Sequence, residues 1–316
     1  MQSINIPHSM KKNLFFIAFL IFALSFGQEQ SFTQTEMSIN KIIDGTLLVP
    51  NDGSKTLAII IAGSGPTDRD GNQNFLKSNN LKKLAESLTK NDIATFRYDK
   101  RTVKQIRTGR LDPNTIFDDF VKDASDIIDF FRKDKRFENI YIIGHSKGSL
   151  VGMLAGKDKM DGFVSIAGAG QPIDEVITEQ VTKTAPMFTE DTKRVFGILK
   201  EGNTTDDFPP ALASIFNKQI QPFMMSWMRY NPQIEIAKLT MPILIVNGTK
   251  DLQVSVAEAE LLRKSAPKAE FKIIEKMNHV LFTIEGDDLE NSKSYNEAFR
   301  SLNDELVQTI VKFIKQ

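Results

Sequence analysis

Residues 141–150 read Tyr141-Ile142-Ile143-Gly144-His145-Ser146-Lys147-Gly148-Ser149-Leu150. The apolar run from Ile140 to Ile143 has the length and branching of a short buried strand. It breaks at Gly144, and the segment after Lys147 reads as a helix carrying Leu150, Val151, Met153 and Leu154. Between strand and helix, Gly144 to Gly148 spell G-x-S-x-G, a pattern that gains meaning from this strand–turn–helix setting. A serine there sits on a sharp turn with its hydroxyl projecting, and the flanking glycines remove side chains that would collide with neighbouring backbone. The bland alternative is a glycine-softened loop whose serine only caps the helix.

The same rhythm extends in both directions. Leu57 to Ala62 is a continuous apolar run, as expected of a strand buried on both faces. It gives way to the polar loop Gly63-Ser64-Gly65-Pro66-Thr67-Asp68-Arg69-Asp70-Gly71-Asn72. Leu81, Leu84, Ala85 and Leu88 recur at helical spacing, and Ile93 to Asp99 reads as the next strand. Phe117 to Phe131 carries an amphipathic helix pattern, Gly162 to Gly168 a further strand, and Lys41 to Ser54 an edge strand with its turn. Alternating strands and helices predict an α/β fold with a mostly parallel central sheet flanked by helices. From Gln171 to about Lys238 no strand is predicted, so residues 171–238 are expected to form a helical cap inserted between core segments 28–170 and 239–316. One helix pattern in the cap runs from Leu212 to Trp227, with Pro222 predicted to kink it. Phe223, Met224 and Trp227 either line an apolar substrate pocket or form the cap's own core.

The chain has 316 residues and is 41% hydrophobic, enough for one large domain with an insertion. Its 40 Lys+Arg balance 40 Asp+Glu, so nucleic acid and anionic surfaces are poor candidate partners. Lys11 and Lys12 precede an apolar run from Leu14 to Leu24, followed by the small residues Ser25 and Gly27. That is the pattern of a cleavable export signal over residues 1–27, which predicts a secreted or periplasmic protein with no stable membrane association after cleavage. An uncleaved anchor helix is the alternative, although the run is short for a full span. With no Cys, neither a disulfide nor a lipid-attachment cysteine is available.

A serine nucleophile needs a base within hydrogen-bond reach and a third group to orient that base. The chain has only three histidines: His8 in the leader, His145 beside the serine, and His279 just past the last predicted strand, Glu270 to Glu275. Elimination makes His279 the candidate base. Asp251, directly after the strand and glycine turn Ile243 to Gly248, is the candidate orienting acid, with Asp174 and Glu175 as rivals; otherwise Asp251 is a helix cap. A tetrahedral oxyanion needs two backbone donors, and the amides of Ser64 and Lys147 are the candidates. The Lys147 ammonium is expected to point to solvent or to pair locally.

With Gly63–Gly71, Arg97-Tyr98-Asp99-Lys100-Arg101, Gly144–Gly148, Asp251 and His279, the chain resembles the α/β-hydrolase superfamily. The resemblance is nearest to bacterial carboxylesterases and serine-aminopeptidase-like hydrolases with a helical cap. It covers nearly everything from about Lys41 onward. Ala62 departs from the pattern, standing where many relatives carry His before the oxyanion loop. The resemblance implies the α/β-hydrolase fold and no cofactor. No metal site is expected either, with His scarce and Cys absent. The function it implies is a serine esterase that cleaves small carboxylic esters of short or medium acyl chain through an acyl-enzyme. A peptidase or amidase on the same residues is the first alternative, and a non-catalytic binding protein on the same scaffold the second.

Overall fold

A computed structural model describes residues 31–316; the expected leader, residues 1–27, lies outside them. The strands are β1 (Phe32–Ser38), β2 (Asp44–Pro50), β3 (Thr56–Ile61), β4 (Ala94–Tyr98), β5 (Asn139–His145), β6 (Gly162–Ile166), β7 (Ile243–Gly248) and β8 (Glu270–Ile274). They form one sheet in the order β1-β2-β4-β3-β5-β6-β7-β8. The β1–β2 and β2–β4 pairs are antiparallel, and every later pair is parallel.

Successive strand residues point to opposite faces, so each run of apolar residues feeds two cores. In β3, Leu57, Ile59 and Ile61 face one side and Ala58 and Ile60 the other. The first face is covered by α3 (Phe117–Arg132), α4 (Lys147–Gly156) and, through Ala259 and Leu262, α10 (Val256–Ser265). The second is covered by α1 (Asn80–Thr89) and α12 (Asp304–Ile314). A short helix, α2 (Arg101–Thr108), follows β4 directly.

Two local expectations are corrected. The outer strand is β1, while the segment read as the edge, now β2, is paired on both sides. Phe32–Ser38 is mostly exposed and polar, so no buried alternation marks it in the sequence. In the helical region, the Leu212–Trp227 pattern is broken rather than kinked. After a single turn at Pro210–Leu212 come α7 (Ala213–Phe216) and α8 (Gln221–Met228), with Pro222 in the first turn of α8. Proline lacks an N–H that the first turn does not use, so it starts a helix more readily than it continues one.

The remaining helices between β6 and β7 are α5 (Ile173–Thr184), α6 (Thr189–Lys200) and α9 (Pro232–Ala237). Val181, Val195, Phe196, Leu199, Leu212, Phe216 and Met224 give this region a small core of its own. Between β8 and α12 lies α11 (Asp288–Ser294), which braces the loop after β8. Among the described residues, no helix is long and apolar enough to cross a membrane.

Candidate active site

β5 delivers the chain to Ser146, whose backbone has φ 54° and ψ −124°, a conformation that costs on the order of 1–3 kcal/mol outside glycine. The turn is held because the Ser146 amide donates to the carbonyl of Ile166 at 2.9 Å. Both flanking glycines are required by contact. A Cβ on Gly144 would lie 2.5 Å from the Gly148 carbonyl oxygen, and one on Gly148 would lie 2.2 Å from that of Ile61. The first turn of α4 therefore rests directly on the end of β3. Ser146 itself stays half-exposed.

His279 lies in the loop after β8, as the elimination argument expects. Its Nδ1 is 2.8 Å from Asp251 Oδ2. A carboxylate only accepts, so Nδ1 carries the proton and Nε2 is left as an acceptor. The other carboxylate oxygen, Oδ1, accepts the amides of Gln253 and Val254, each at 2.8 Å. Asp251 thus closes the turn ahead of the next helix, whose N-cap is Ser255, and its other oxygen faces the imidazole. The rival Asp174 is elsewhere, paired with Lys200 at 2.5 Å, and Glu175 is exposed on α5.

The His279 loop is fixed from several sides. Lys250 donates its amide to the Met277 carbonyl at 3.0 Å, and Asn278 donates to Asn291 and Ser294 of α11 at 2.9 and 2.8 Å. His145 Nε2–H donates to the His279 carbonyl at 2.8 Å. Burial first, and then the neighbouring His279, push the His145 pKa down to about 3, so it stays neutral at ordinary pH. The sequence reading set His145 aside as a base. Its positioning contact spans 134 residues and leaves no local sequence signal.

The loop after β3 is anchored by exchanged charges. Arg69 pairs with Asp99 at 2.9 Å, and Asp70 accepts from Arg97 Nε at 2.9 Å. Consecutive loop residues of opposite charge thus meet alternate residues at the end of β4. Asp68 accepts the amides of Asp70 and Asn72, each at 2.9 Å. At the serine end, a Cβ on Gly63 would sit 3.0 Å from Ser146 Cβ, which brings Ser64 next to the turn. The Lys100 ammonium, almost fully buried, donates to the carbonyls of Gly63 and Gly65.

Lys147 departs from expectation. Its amide stands at the N-terminus of α4, but its ammonium is buried and pairs with no carboxylate among the described residues. It lies over the rings of Phe120, Phe223 and Trp227, at 4.5, 5.0 and 5.4 Å from their centroids. Burial lowers its pKa to about 8. The turn faces the side chain inward beneath α8, and three aromatic faces compensate part of the lost hydration.

A cavity of about 310 Å³ opens beside Ser146 and is also lined by Ser64, His145, His279, Gln253 and Tyr295. Phe223, Met224 and Trp227, the expected pocket residues, are not among its lining. Met224 is buried in the core of the helical region, while Trp227 stacks on Phe117, Phe223 packs at an angle against Phe117 and Phe120, and both enclose Lys147. Their apolar spacing is that of packing. Among the described residues, no group of His, Asp or Glu is arranged to hold a metal ion.

The family described as serine aminopeptidase, S33, matches residues 76–204. Esterase EstD of Thermotoga maritima is 26% identical over 275 residues, covering 81% of this chain. The chain spans 62% of the length of that relative. Est1E from Butyrivibrio proteoclasticus superposes with a TM-score of 0.56 at 16% identity, covering 90% of this chain and 99% of its own. An esterase of Pyrococcus furiosus superposes with a TM-score of 0.54 at 14% identity, covering 93% and 91%. With this sheet order, this strand–turn–helix serine and these likenesses, the chain has the α/β-hydrolase fold.

Proposed function

We propose that the protein is a serine hydrolase that cleaves small carboxylic esters through an acyl-enzyme. The observation that carries this reading is the hydrogen-bonded His279–Asp251 pair, which opens onto the same cavity as Ser146 on its high-energy turn. His279 Nε2 takes the proton of Ser146 Oγ as the oxygen attacks the ester carbonyl. Asp251 holds the Nδ1–H tautomer and stabilises the imidazolium that forms. The amides of Ser64 and Lys147 receive the oxyanion. The imidazolium then protonates the leaving alcohol, and a water deprotonated by His279 releases the acid and restores Ser146.

The cavity favours short acyl chains. At about 310 Å³ it is at the small end of ligand pockets, and its lining includes the polar side chains of Thr67, Gln73, Asn80 and Gln253. The esterase relative supports the choice of bond. Aminopeptidase action needs a carboxylate to hold a substrate α-ammonium, and no Asp or Glu is among the residues lining this cavity. Three acids of the helical region are paired elsewhere: Asp174 with Lys200, Glu190 with Lys193, and Asp191 with Arg194.

A panel of chromogenic esters of increasing chain length and aminoacyl amides, run on wild type and Ser146→Ala, tests the proposal. Short esters should turn over, and Ser146→Ala should abolish the turnover. Ester turnover that survives Ser146→Ala would refute the mechanism, and turnover of aminoacyl amides alone would refute the bond assignment. We also propose export with removal of residues 1–27. The mass of the mature chain recovered from outside the cytoplasm is the measurement, and an intact N-terminus there would count against it.

A further inference from the structure

The proposed mechanism asks the Ser64 amide to meet a charge that exists only in the transition state. An amide at a loop tip can do this only if its peptide plane is already fixed, because reorganisation during the reaction would cancel the gain. Ser64 N–H and the Gly63 carbonyl belong to one planar trans peptide and point in opposite directions. Whatever holds the carbonyl therefore aims the N–H.

Lys100 holds it. The parallel register pairs Ile60 with Arg97, so three residues further along both chains Lys100 arrives beside Gly63. Its ammonium donates to the carbonyls of Gly63 and Gly65, on the two sides of Ser64. The Ser64 carbonyl is fixed separately, accepting from the Thr67 hydroxyl at 2.6 Å and from Gln73 Nε2 at 3.1 Å. The Lys100 side chain is 3% exposed and has no carboxylate partner among the described residues. Burial, and then the Lys147 ammonium, push its pKa well below the usual lysine value, so the fold bears a cost to keep an amine here. A donor at the Gly63 oxygen also polarises that peptide and strengthens its N–H as a donor.

We propose that Lys100 is a positioning residue for catalysis, fixing the Gly63–Ser64 peptide so that the Ser64 amide is preorganised for the oxyanion. This rests on the serine-hydrolase reading above. A residue that only stabilised the loop would change folding and substrate affinity; one that aims an oxyanion donor changes kcat.

The test compares wild type, Lys100→Met, Lys100→Gln and Ser146→Ala on p-nitrophenyl acetate, with the affinity for a short alkylboronic acid, which forms a tetrahedral adduct on a serine. Acylation and deacylation both pass through an oxyanion, so kcat should fall on the order of 100-fold in folded Lys100→Met, as when one oxyanion donor is lost. KM should stay within about threefold, and boronate affinity should fall in parallel with kcat, by the same factor. Folded Lys100→Met with wild-type kcat, or with kcat lost and boronate affinity unchanged, would overturn the proposal. If Lys100→Met does not fold, Lys100→Gln is read by the same two quantities. Wild-type turnover by Ser146→Ala would instead defeat the underlying reading, so the two failures are distinguishable.

Discussion

Asp251→Asn puts the proposed mechanism under the most quantitative strain. The carboxylate faces three donors: the amides of Gln253 and Val254 on Oδ1 and the protonated Nδ1 of His279 on Oδ2, each at 2.8 Å. Asparagine has one oxygen for these two sides. If the oxygen stays on the amides, the NH2 faces Nδ1 and forces the imidazole proton to Nε2, where it blocks acceptance of the serine proton. The opposite orientation sets an NH2 against two backbone N–H groups. A buried donor left unsatisfied costs about 1–3 kcal/mol; Gln253 is exposed and Val254 is buried, so the productive orientation is disfavoured by roughly 1–3 kcal/mol through the Val254 amide. The imidazolium also loses its counter-charge. Together these place the expected loss in kcat on the order of 10⁴. The first orientation keeps both amide contacts, so the thermal midpoint should move by only a few degrees. Initial rates on a short chromogenic ester from pH 6 to 9, with a melting curve on the same sample, give both numbers. A kcat within tenfold of wild type would refute the reasoning and return the orienting role to another acid.

Three further outcomes are expected. Gly148→Ala drives a methyl to 2.2 Å from the Ile61 carbonyl oxygen and should cost about 3 kcal/mol or more by urea denaturation, whereas Gly197→Ala, with open space around its Cβ and an exposed helical site, should gain about 0.5–1 kcal/mol. His145→Phe keeps an aromatic ring but removes the donor to the His279 carbonyl, so kcat should fall by about tenfold with KM little changed; an unchanged kcat would mean that the loop does not need this contact. Lys147 has a folded pKa of about 8 against 10.5, so the unfolded chain binds more protons between those values and its contribution to stability rises with pH across that window, by about 3 kcal/mol at most. The stability of wild type minus that of Lys147→Met should therefore climb from pH 8 to 10.5, and parallel curves would contradict the burial of a charged amine.

Much of the framework was legible because it is local. Buried parallel strands announce themselves as unbroken apolar runs, and the Ser146 turn as a strand that stops at one glycine and a helix that starts beside another. Scarcity did the rest for His279, since His145 is too close to the serine and His8 too far upstream. The outermost strand was missed because Phe32–Ser38 buries almost nothing, and α8 was misread because a proline in a first turn looks like a proline in a helix interior.

The sequence alone determined the strand–helix rhythm, the serine on its turn, and the residue types able to act as base and acid. Tertiary structure decided which partners those residues meet. Asp251 rather than Asp174 reaches the imidazole because β7 and β8 are neighbours in parallel register, which brings the ends of both strands to one edge of the sheet. Lys147 turns inward to an aromatic cage, and Lys100 to two carbonyls, because α8 and the loop after β3 lie over them. Phe223 and Trp227 go to that cage instead of to the cavity at Ser146. The physical reason is range. Strand and turn preferences act between residues a few positions apart, whereas desolvating an ammonium or holding a peptide plane depends on groups brought close only when the sheet assembles.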